Sequence, residues 1–238
     1  MKFKATILKR YLADFFNLLF PDLCAACGQQ LFHGEKQICT TCLYDLPYTD
    51  FHLYPDNPLA RLFWGRINCH SAMAMLYFRK TSKVQQLIHQ LKYRSQSELG
   101  VRLGEILGEK LLEGFTTADA LPDLIIPVPL HPAKRRSRGY NQSQKIAEGI
   151  SAVMHIPVGT TQLIRKRSTA TQTKKNRYKR FENMKAVFSV PDQAALAGKH
   201  VLLVDDVITT GATLEACGQV LLDSGLQQLS IAALAFTE

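Results

Sequence analysis

The amino-acid sequence predicts an α/β fold, in which a parallel sheet is flanked by helices and a small cysteine-rich module precedes it. Residues 124–126 and 201–204 are uninterrupted apolar runs, typical of strands that are buried on both faces. Polar residues and then a helical pattern follow each run, as expected for parallel strands with helical crossovers. Two Cys-x-x-Cys pairs near the start indicate the module. With 238 residues, 46% of them apolar, the chain is long enough for both parts.

Residues 1–20 carry apolar side chains at helical spacing, including Phe3, Ile7 and Tyr11. A signal peptide is the alternative, but Asp14 and Asn17 interrupt the apolar core that a signal peptide needs. We therefore predict an amphipathic docking helix at 1–20. No other stretch reaches the roughly 18 apolar residues of a membrane span, so we expect a cytoplasmic protein without a membrane span.

The two cysteine pairs are Cys24-Ala-Ala-Cys27 and Cys39-Thr-Thr-Cys42, separated by eleven residues. Four thiolates from two such turns complete a tetrahedron around one Zn²⁺ and leave no position for a substrate, so the zinc is predicted to be structural. Disulfides are the alternative, but the lack of a secretory signal argues against an oxidising compartment. We predict a zinc module and linker at 21–58 and an α/β domain at 59–238.

The periodicity of the α/β domain predicts its elements in order. They are a strand at 70–79, helices at 84–93 and 99–112, a strand at 124–129, a loop at 131–142, a helix at about 144–153, and short strands at 163–164 and 186–190. The prolines at the end of the 124–129 strand should terminate it, so that the 131–142 loop begins at the carboxyl edge of the sheet.

The run at 201–204 is followed by Asp205 and Asp206, which we call the acid pair. Residues 209–213, the Thr loop, lie further along the chain, and helical spacing resumes after them. A Gly and several hydroxyls at the start of a helix can cradle a phosphate. The carboxylates suit sugar hydroxyls or a hard cation such as Mg²⁺. A sugar diol beside a phosphate indicates a ribose 5-phosphate. A P-loop is excluded, since no GxxxxGK[ST] occurs. An aspartyl-phosphate receiver, the alternative, would carry its acids near the first strand.

Most of the positive charge lies in residues 131–180, the basic segment. It contains 13 Lys and Arg against one acid, Glu148, a net charge of +12 within a chain of net charge +9. Such a local concentration of positive charge suits the binding of pyrophosphate, nucleic acid or both. The alternative is an ordinary solvated face.

The apolar strand, acid pair and Thr loop resemble the signature of type I phosphoribosyltransferases. The resemblance implies that Asp205 and Asp206 hold the ribose hydroxyls of phosphoribosyl pyrophosphate (PRPP) at the catalytic centre with Mg²⁺. It implies that the Thr loop holds the 5-phosphate through Thr209, Thr210, Gly211, Ala212 and Thr213. It further implies a pyrophosphate segment, formed by Arg138, Gly139, Tyr140 and Asn141. A hood at 165–188 would close over PRPP, with the cations Arg165, Arg167, Lys174, Lys175, Arg177 and Arg180.

The order of motifs over nearly the full chain is similar to that of the ComF family of competence and DNA-utilisation proteins. These motifs are the cysteine knuckle, Leu91-Lys92-Tyr93, the 127–142 stretch PVPLHPAKRRSRGYNQ, the hood, and the 201–213 stretch. The hood departs from the family pattern at Asn183 to Phe188. The resemblance implies a PRPP-binding phosphoribosyltransferase for DNA uptake or utilisation, with competence or DNA-processing proteins as partners.

A second hypothesis is a non-catalytic accessory factor that binds single-stranded DNA and uses the PRPP site only as a ligand or sensor site. The basic segment and its neighbouring aromatic residues Tyr140, Tyr178 and Phe181 favour this hypothesis, because cations with planar side chains suit a flexible strand. The intact acid pair and Thr loop favour the enzyme. The acceptor substrate is not predicted.

Overall fold

The computed structural model describes residues 21–93, 96–115, 121–166 and 187–237. The chain divides into two compact units, Met1–Leu46 and Pro47–Glu238. The docking helix predicted at 1–20 lies outside the described residues. So do five of the predicted hood cations, which are Arg167, Lys174, Lys175, Arg177 and Arg180.

The described part of the first unit is small and consists mainly of turns. Its one helix, α1 (Thr40–Tyr44), begins after Cys39, whose sulfur accepts a hydrogen bond from the N–H of Cys42. Two isolated antiparallel bridges, Leu23 with Gln30 and Lys36 with Ile38, close the turns.

The second unit begins with a segment that pairs with its first strand. The N–H of Tyr77 donates to the carbonyl of Pro47, and the N–H of Thr49 donates to that of Met75. A 3₁₀ helix (Phe51–Leu53) and α2 (Pro58–Phe63) follow. Asn57 caps α2 and donates through Nδ2 to the carbonyl of Ala72 at 3.0 Å. Residues 47–58 therefore fold with the sheet.

The central sheet confirms the predicted α/β fold. Its strands are β1 (Ser71–Tyr77), β2 (Leu124–Pro127), β5 (His200–Ile208) and β6 (Gln228–Phe236), and a separate antiparallel pair is β3 (Ile164–Arg165) and β4 (Phe188–Ser189). The spatial order is β1-β6-β5-β2, and all neighbours are parallel. The two apolar runs that predicted the sheet are adjacent, with Leu124 opposite Val201. Both are buried.

Strand β5 extends further than its apolar run. β2 ends at Pro127 opposite Val204, whereas β5 continues to pair with β6 from Asp205, opposite Ala233, to Ile208. The strand is therefore longer than the apolar run that predicted it, because pairing with β6 alone extends it by four residues. The acid pair consequently lies on a stretch of strand that has lost its neighbour on one side.

The helices of the second unit after α2 are α3 (Lys83–Tyr93), α4 (Ser97–Gly114), α5 (Pro132–Arg138), α6 (Gln142–Met154) and α7 (Ala212–Leu222). α3, α4, α6 and α7 correspond to predicted helices. Within the described residues, no helix combines the length and apolar character needed to cross a membrane.

Helix α5 corrects the prediction that residues 131–142 form a loop. Pro132 occupies its first turn, where a fixed φ and a missing N–H cost nothing, and His131 Nδ1 accepts from the N–H of Ala133. The Lys and Arg residues that follow are good helix formers. Gly139 ends the helix in the left-handed region, with φ 81°.

Helices α4 and α6 pack with their backbones in direct contact at glycines. A Cβ atom on Gly149 would overlap the carbonyl oxygen of Val101, and one on Gly104 would overlap that of Ile146. A Cβ on Gly100 would lie 2.8 Å from Lys145 Cβ and 3.0 Å from Leu91 Cδ1. This contact fixes the start of α6 relative to the end of α3.

We predict that Gly149→Ala destabilises the second unit by about 2 kcal/mol or more, because overpacking a close contact forces the helices apart. Helix propensity alone predicts the opposite, a gain of about 1 kcal/mol. Urea denaturation measures the difference, with Glu109→Ala on the exposed face of α4 as control. A more stable Gly149→Ala protein would contradict the close packing.

Candidate functional site

The acid pair lies where three elements meet. Asp205 Oδ1 accepts hydrogen bonds from Ser143 Oγ at 3.0 Å and from the N–H of Asp206 at 2.9 Å. Asp206 Oδ2 lies 2.9 Å from Lys92 Nζ. Ser143 belongs to the first turn of α6 and Lys92 to the last turn of α3. The two carboxylates are thus held by side chains from two different helices.

Burial, and then the negative charge of Asp206, raise the pKa of Asp205 to about 7. The hydrogen bonds from the N–H of Asp206 and from Ser143 oppose this rise. A nearby cation or hydroxyl donors stabilise the ionised form of a carboxylate whose pKa lies near neutral pH. The pair is therefore suited to a hard divalent cation or to a sugar diol.

The Thr loop begins directly after β5. Gly211 is the N-cap of α7 and has φ 72°, a region that glycine adopts without strain. Leu62 and Phe63 of α2 lie 3.0 and 3.1 Å from the place of a Cβ on Gly211, so a side chain is also disfavoured by space. Thr209 and Thr210 are exposed. The loop offers hydroxyls at the positive end of an eleven-residue helix, which favours an anion.

Arg66 braces the Thr loop, a role that the sequence analysis missed. Its Nη1 donates to the carbonyls of Thr210 and Leu62, each at 3.1 Å, and its Nη2 pairs with the carboxylate of Glu215. Glu215 is buried in the first turn of α7. Arg66 and Thr210 are 144 residues apart in sequence. No local pattern marks this contact.

The pyrophosphate segment consists of the last residue of α5 and the turn that leads to α6. Arg138 Nη1 donates to Gln142 Oε1 at 3.0 Å, and its guanidinium lies over the ring of Tyr93, 5.4 Å from the centroid. Tyr140 donates through its hydroxyl to the carbonyl of Leu91. Asn141 donates to the carbonyl of Val128 at 2.9 Å. The segment is thereby attached to the end of α3, the same turn that reaches the acid pair.

Arg165 is the one predicted hood cation within the described residues. It belongs to β3, opposite Phe188 of β4, and its guanidinium lies 5.4 Å from the centroid of the Phe188 ring. The β3–β4 pair brackets residues 167–186, which lie outside the described part. The described residues therefore include the base of the predicted hood with Arg165, whereas its other five predicted cations lie outside them.

The four cysteines of the first unit converge. The Sγ atoms of Cys24, Cys27, Cys39 and Cys42 all lie within 4.8 Å of one another, and those of Cys27 and Cys39 are 3.9 Å apart. A tetrahedron with Zn–S bonds of about 2.3 Å separates its sulfurs by about 3.8 Å. The Cys39 N–H donates to Cys24 Sγ at 3.3 Å, a contact that favours the thiolate form of Cys24. The cluster fits a metal such as zinc.

Comparisons with known proteins agree with this geometry. A family profile described as "Phosphoribosyl transferase domain" matches residues 114–237. The DNA utilization protein YhgH of Escherichia coli (strain K12) is 31% identical over 238 residues, covering 92% of this chain and 99% of the relative.

Two further relatives are competence proteins. Competence protein F of Haemophilus influenzae is 32% identical over 151 residues, 63% of this chain and 66% of the relative. Competence protein ComFC of Bacillus subtilis is 28% identical over 145 residues, 60% of this chain and 55% of the relative.

We predict that Asp205→Asn removes a pH dependence of stability. The folded pKa of Asp205, about 7, lies above its ordinary value of 3.8. Its contribution to stability is therefore complete below pH 4 and is lost as the pH rises to 7, on the order of 1 kcal/mol per pH unit. Asp205→Asn should gain stability relative to the parent between pH 5 and pH 8.

Urea denaturation at the two pH values measures this difference. Asp223→Asn is the matched control, because it removes an exposed carboxylate at the opposite end of α7. If the parent and Asp205→Asn lose or gain stability equally from pH 5 to pH 8, the raised pKa is wrong.

Proposed function

Because the chain belongs to the phosphoribosyltransferase domain family and, within it, to the ComF family, we propose that it binds PRPP with Mg²⁺ and serves in the uptake or utilisation of DNA. The observation that carries the proposal is the position of the acid pair and the Thr loop at the end of one strand, β5. The acid pair accepts hydrogen bonds, as ribose hydroxyls require, and the Thr loop donates them, as a phosphate requires.

In the proposed complex the ribose hydroxyls donate to the carboxylates of Asp205 and Asp206. The 5-phosphate accepts from the hydroxyls of Thr209, Thr210 and Thr213 and from the N–H groups at the start of α7. Gly211 lets the backbone approach the phosphate closely. Arg66 supports this arrangement, because it ties the Thr210 carbonyl to the first turn of α7.

The pyrophosphate is proposed to contact the pyrophosphate segment, Arg138, Gly139, Tyr140 and Asn141. Three of their side chains make hydrogen bonds within the protein, which lowers the conformational entropy that ligand binding has to overcome. Lys134, Arg135 and Arg136 of α5 are exposed and extend the positive surface. Cations at this place favour the charge that develops on a departing pyrophosphate.

The proposed reaction is transfer of a phosphoribosyl group. The bond between C1 of the ribose and pyrophosphate oxygen breaks, the pyrophosphate leaves with the bonding electrons, and an acceptor nucleophile forms the new bond to C1. Mg²⁺, when bound, neutralises charge on the pyrophosphate. The acid pair orients the ribose by accepting from its hydroxyls, and its negative charge stabilises positive charge that develops on the ring.

A non-catalytic role in binding single-stranded DNA is the second candidate. The exposed cations of α5 favour it, because consecutive positive side chains suit a phosphate backbone. The hood cations Lys174, Lys175, Arg177 and Arg180 would enlarge this surface. In this case PRPP is bound but not consumed, and competence or DNA-processing proteins would be the partners.

We predict one structural Zn²⁺ in the first unit, bound by Cys24, Cys27, Cys39 and Cys42. Elemental analysis of freshly purified, reduced protein should give one zinc per chain, and Cys39→Ser should lose it, because a hydroxyl is a poor substitute for a thiolate ligand. Cys217→Ser is the matched control, since Cys217 is a buried thiol of the second unit. Zinc retained by Cys39→Ser would contradict the assignment. Thiolates that must stay reduced favour a cytoplasmic location.

We predict that the double variant Asp205→Asn/Asp206→Asn loses at least about a hundredfold in affinity for Mg²⁺-PRPP. Asn keeps the shape of Asp but removes two charged acceptors, each worth about 1.5 kcal/mol or more when buried. Isothermal calorimetry measures the affinity, and Asp223→Asn again serves as control. Unchanged affinity of the double variant would overturn the PRPP site.

Release of pyrophosphate separates the two candidate functions. An enzyme should release pyrophosphate from PRPP in the presence of its acceptor, and the double variant should not. Binding of PRPP without release across a panel of nucleophiles, together with DNA binding that weakens steeply with salt, would favour the accessory factor.

A further inference from the structure

Lys92 is the middle residue of the Leu91-Lys92-Tyr93 motif, and it has no role in the proposed complex with PRPP. Its ammonium lies 2.9 Å from Asp206 Oδ2. The Lys92 and Asp206 side chains are 23% and 14% exposed, so solvent screens this pair less than it screens a surface ion pair. Among the described residues, no other cationic side chain forms a salt bridge with the acid pair.

The position of Lys92 is set by its neighbours rather than by Asp206 alone. Leu91 is buried, and its carbonyl accepts from the hydroxyl of Tyr140. The ring of Tyr93 lies under the guanidinium of Arg138. The last turn of α3 is therefore held on both sides of Lys92. The backbone of Lys92 is thus held where its ammonium reaches Asp206.

The acid pair would otherwise attract a free divalent cation. Two carboxylates next to each other and partly shielded from water are a typical oxygen donor set for Mg²⁺ or Mn²⁺. The ammonium of Lys92 supplies part of the charge that such an ion would bring, and it uses one of the donor oxygens. A free metal ion that binds the acid pair must displace the Lys92 ammonium. The ammonium is then left without a partner in a partly buried position.

We propose that Lys92 is the resident cation of the acid pair, which keeps free divalent metal ions out of the site until PRPP enters. This role rests on the proposed function, because PRPP supplies the new partner that lets the Lys92 ammonium leave the acid pair. The phosphate oxygens of PRPP offer the ammonium a new partner, while the ribose hydroxyls take its place at Asp206. Metal and PRPP would then bind together, and Lys92 is a positioning residue that couples their entry.

The test compares binding of Mn²⁺ alone, measured by electron paramagnetic resonance, in the full-length zinc-loaded protein. Lys92→Met keeps the length and the apolar stem of the side chain but removes the charge. It should bind Mn²⁺ at least about tenfold more tightly than the parent. Lys92→Arg restores a cation and should bind Mn²⁺ as weakly as the parent does. Lys145→Met, which breaks the pair of Lys145 with Glu148 on α6, is the matched control and should resemble the parent.

A second variant pair shows whether the Mn²⁺ is bound at the acid pair. Adding Asp206→Asn to Lys92→Met should abolish the gain in Mn²⁺ affinity. If Lys92→Met binds Mn²⁺ no more tightly than the parent, or if the gain survives Asp206→Asn, the resident-cation role is overturned. Circular dichroism spectra matching the parent show that each variant is folded.

PRPP binding is then measured by calorimetry without metal. Lys92→Met should bind metal-free PRPP about tenfold more weakly than the parent, because the ammonium no longer meets the phosphate oxygens. Equal affinity would overturn the transfer of Lys92 to the ligand. If neither protein binds PRPP with or without Mg²⁺, the proposed function fails, while the Mn²⁺ measurement still decides whether Lys92 excludes metal.

Discussion

The close contact between α4 and α6 is the constraint on which the candidate site depends. Glycines at positions 100, 104 and 149 let the two helix backbones touch, so the distance between the helices is set by main-chain atoms. α4 follows α3, whose last turn carries Lys92, and α6 begins with the turn that carries Ser143. Any separation of these helices would move Lys92 and Ser143 away from the carboxylates that they contact.

The proposed PRPP site combines a negative and a positive surface. The acid pair is partly buried and balanced by Lys92, whereas the cations Lys134, Arg135 and Arg136 stand exposed on α5. A phosphoribosyl pyrophosphate carries hydroxyls at its centre and phosphates at both ends. In the proposed complex, the acid pair accepts from the hydroxyls, and the cations and the start of α7 contact the phosphates.

Two sets of contacts connect the elements of the candidate site. Arg66 joins α2, the Thr loop and the first turn of α7, and it is held by the buried carboxylate of Glu215. Tyr140 and Arg138 join the pyrophosphate segment to the end of α3. Such contacts reduce the conformational entropy that binding must overcome.

Local patterns determined much of this protein in advance. Two apolar runs were enough for the buried neighbours β2 and β5, and the Thr loop marked the turn before α7, because turns depend on residues that are close in sequence. The spacing of four cysteines marked their cluster for the same reason. Only the tertiary structure decided that β5 runs past β2 to Ile208, since strand length depends on the partner strand. It also brought Lys92, Ser143 and Arg66 to the site, because contacts across 62 to 149 residues follow from helix packing and leave no periodic trace in the sequence.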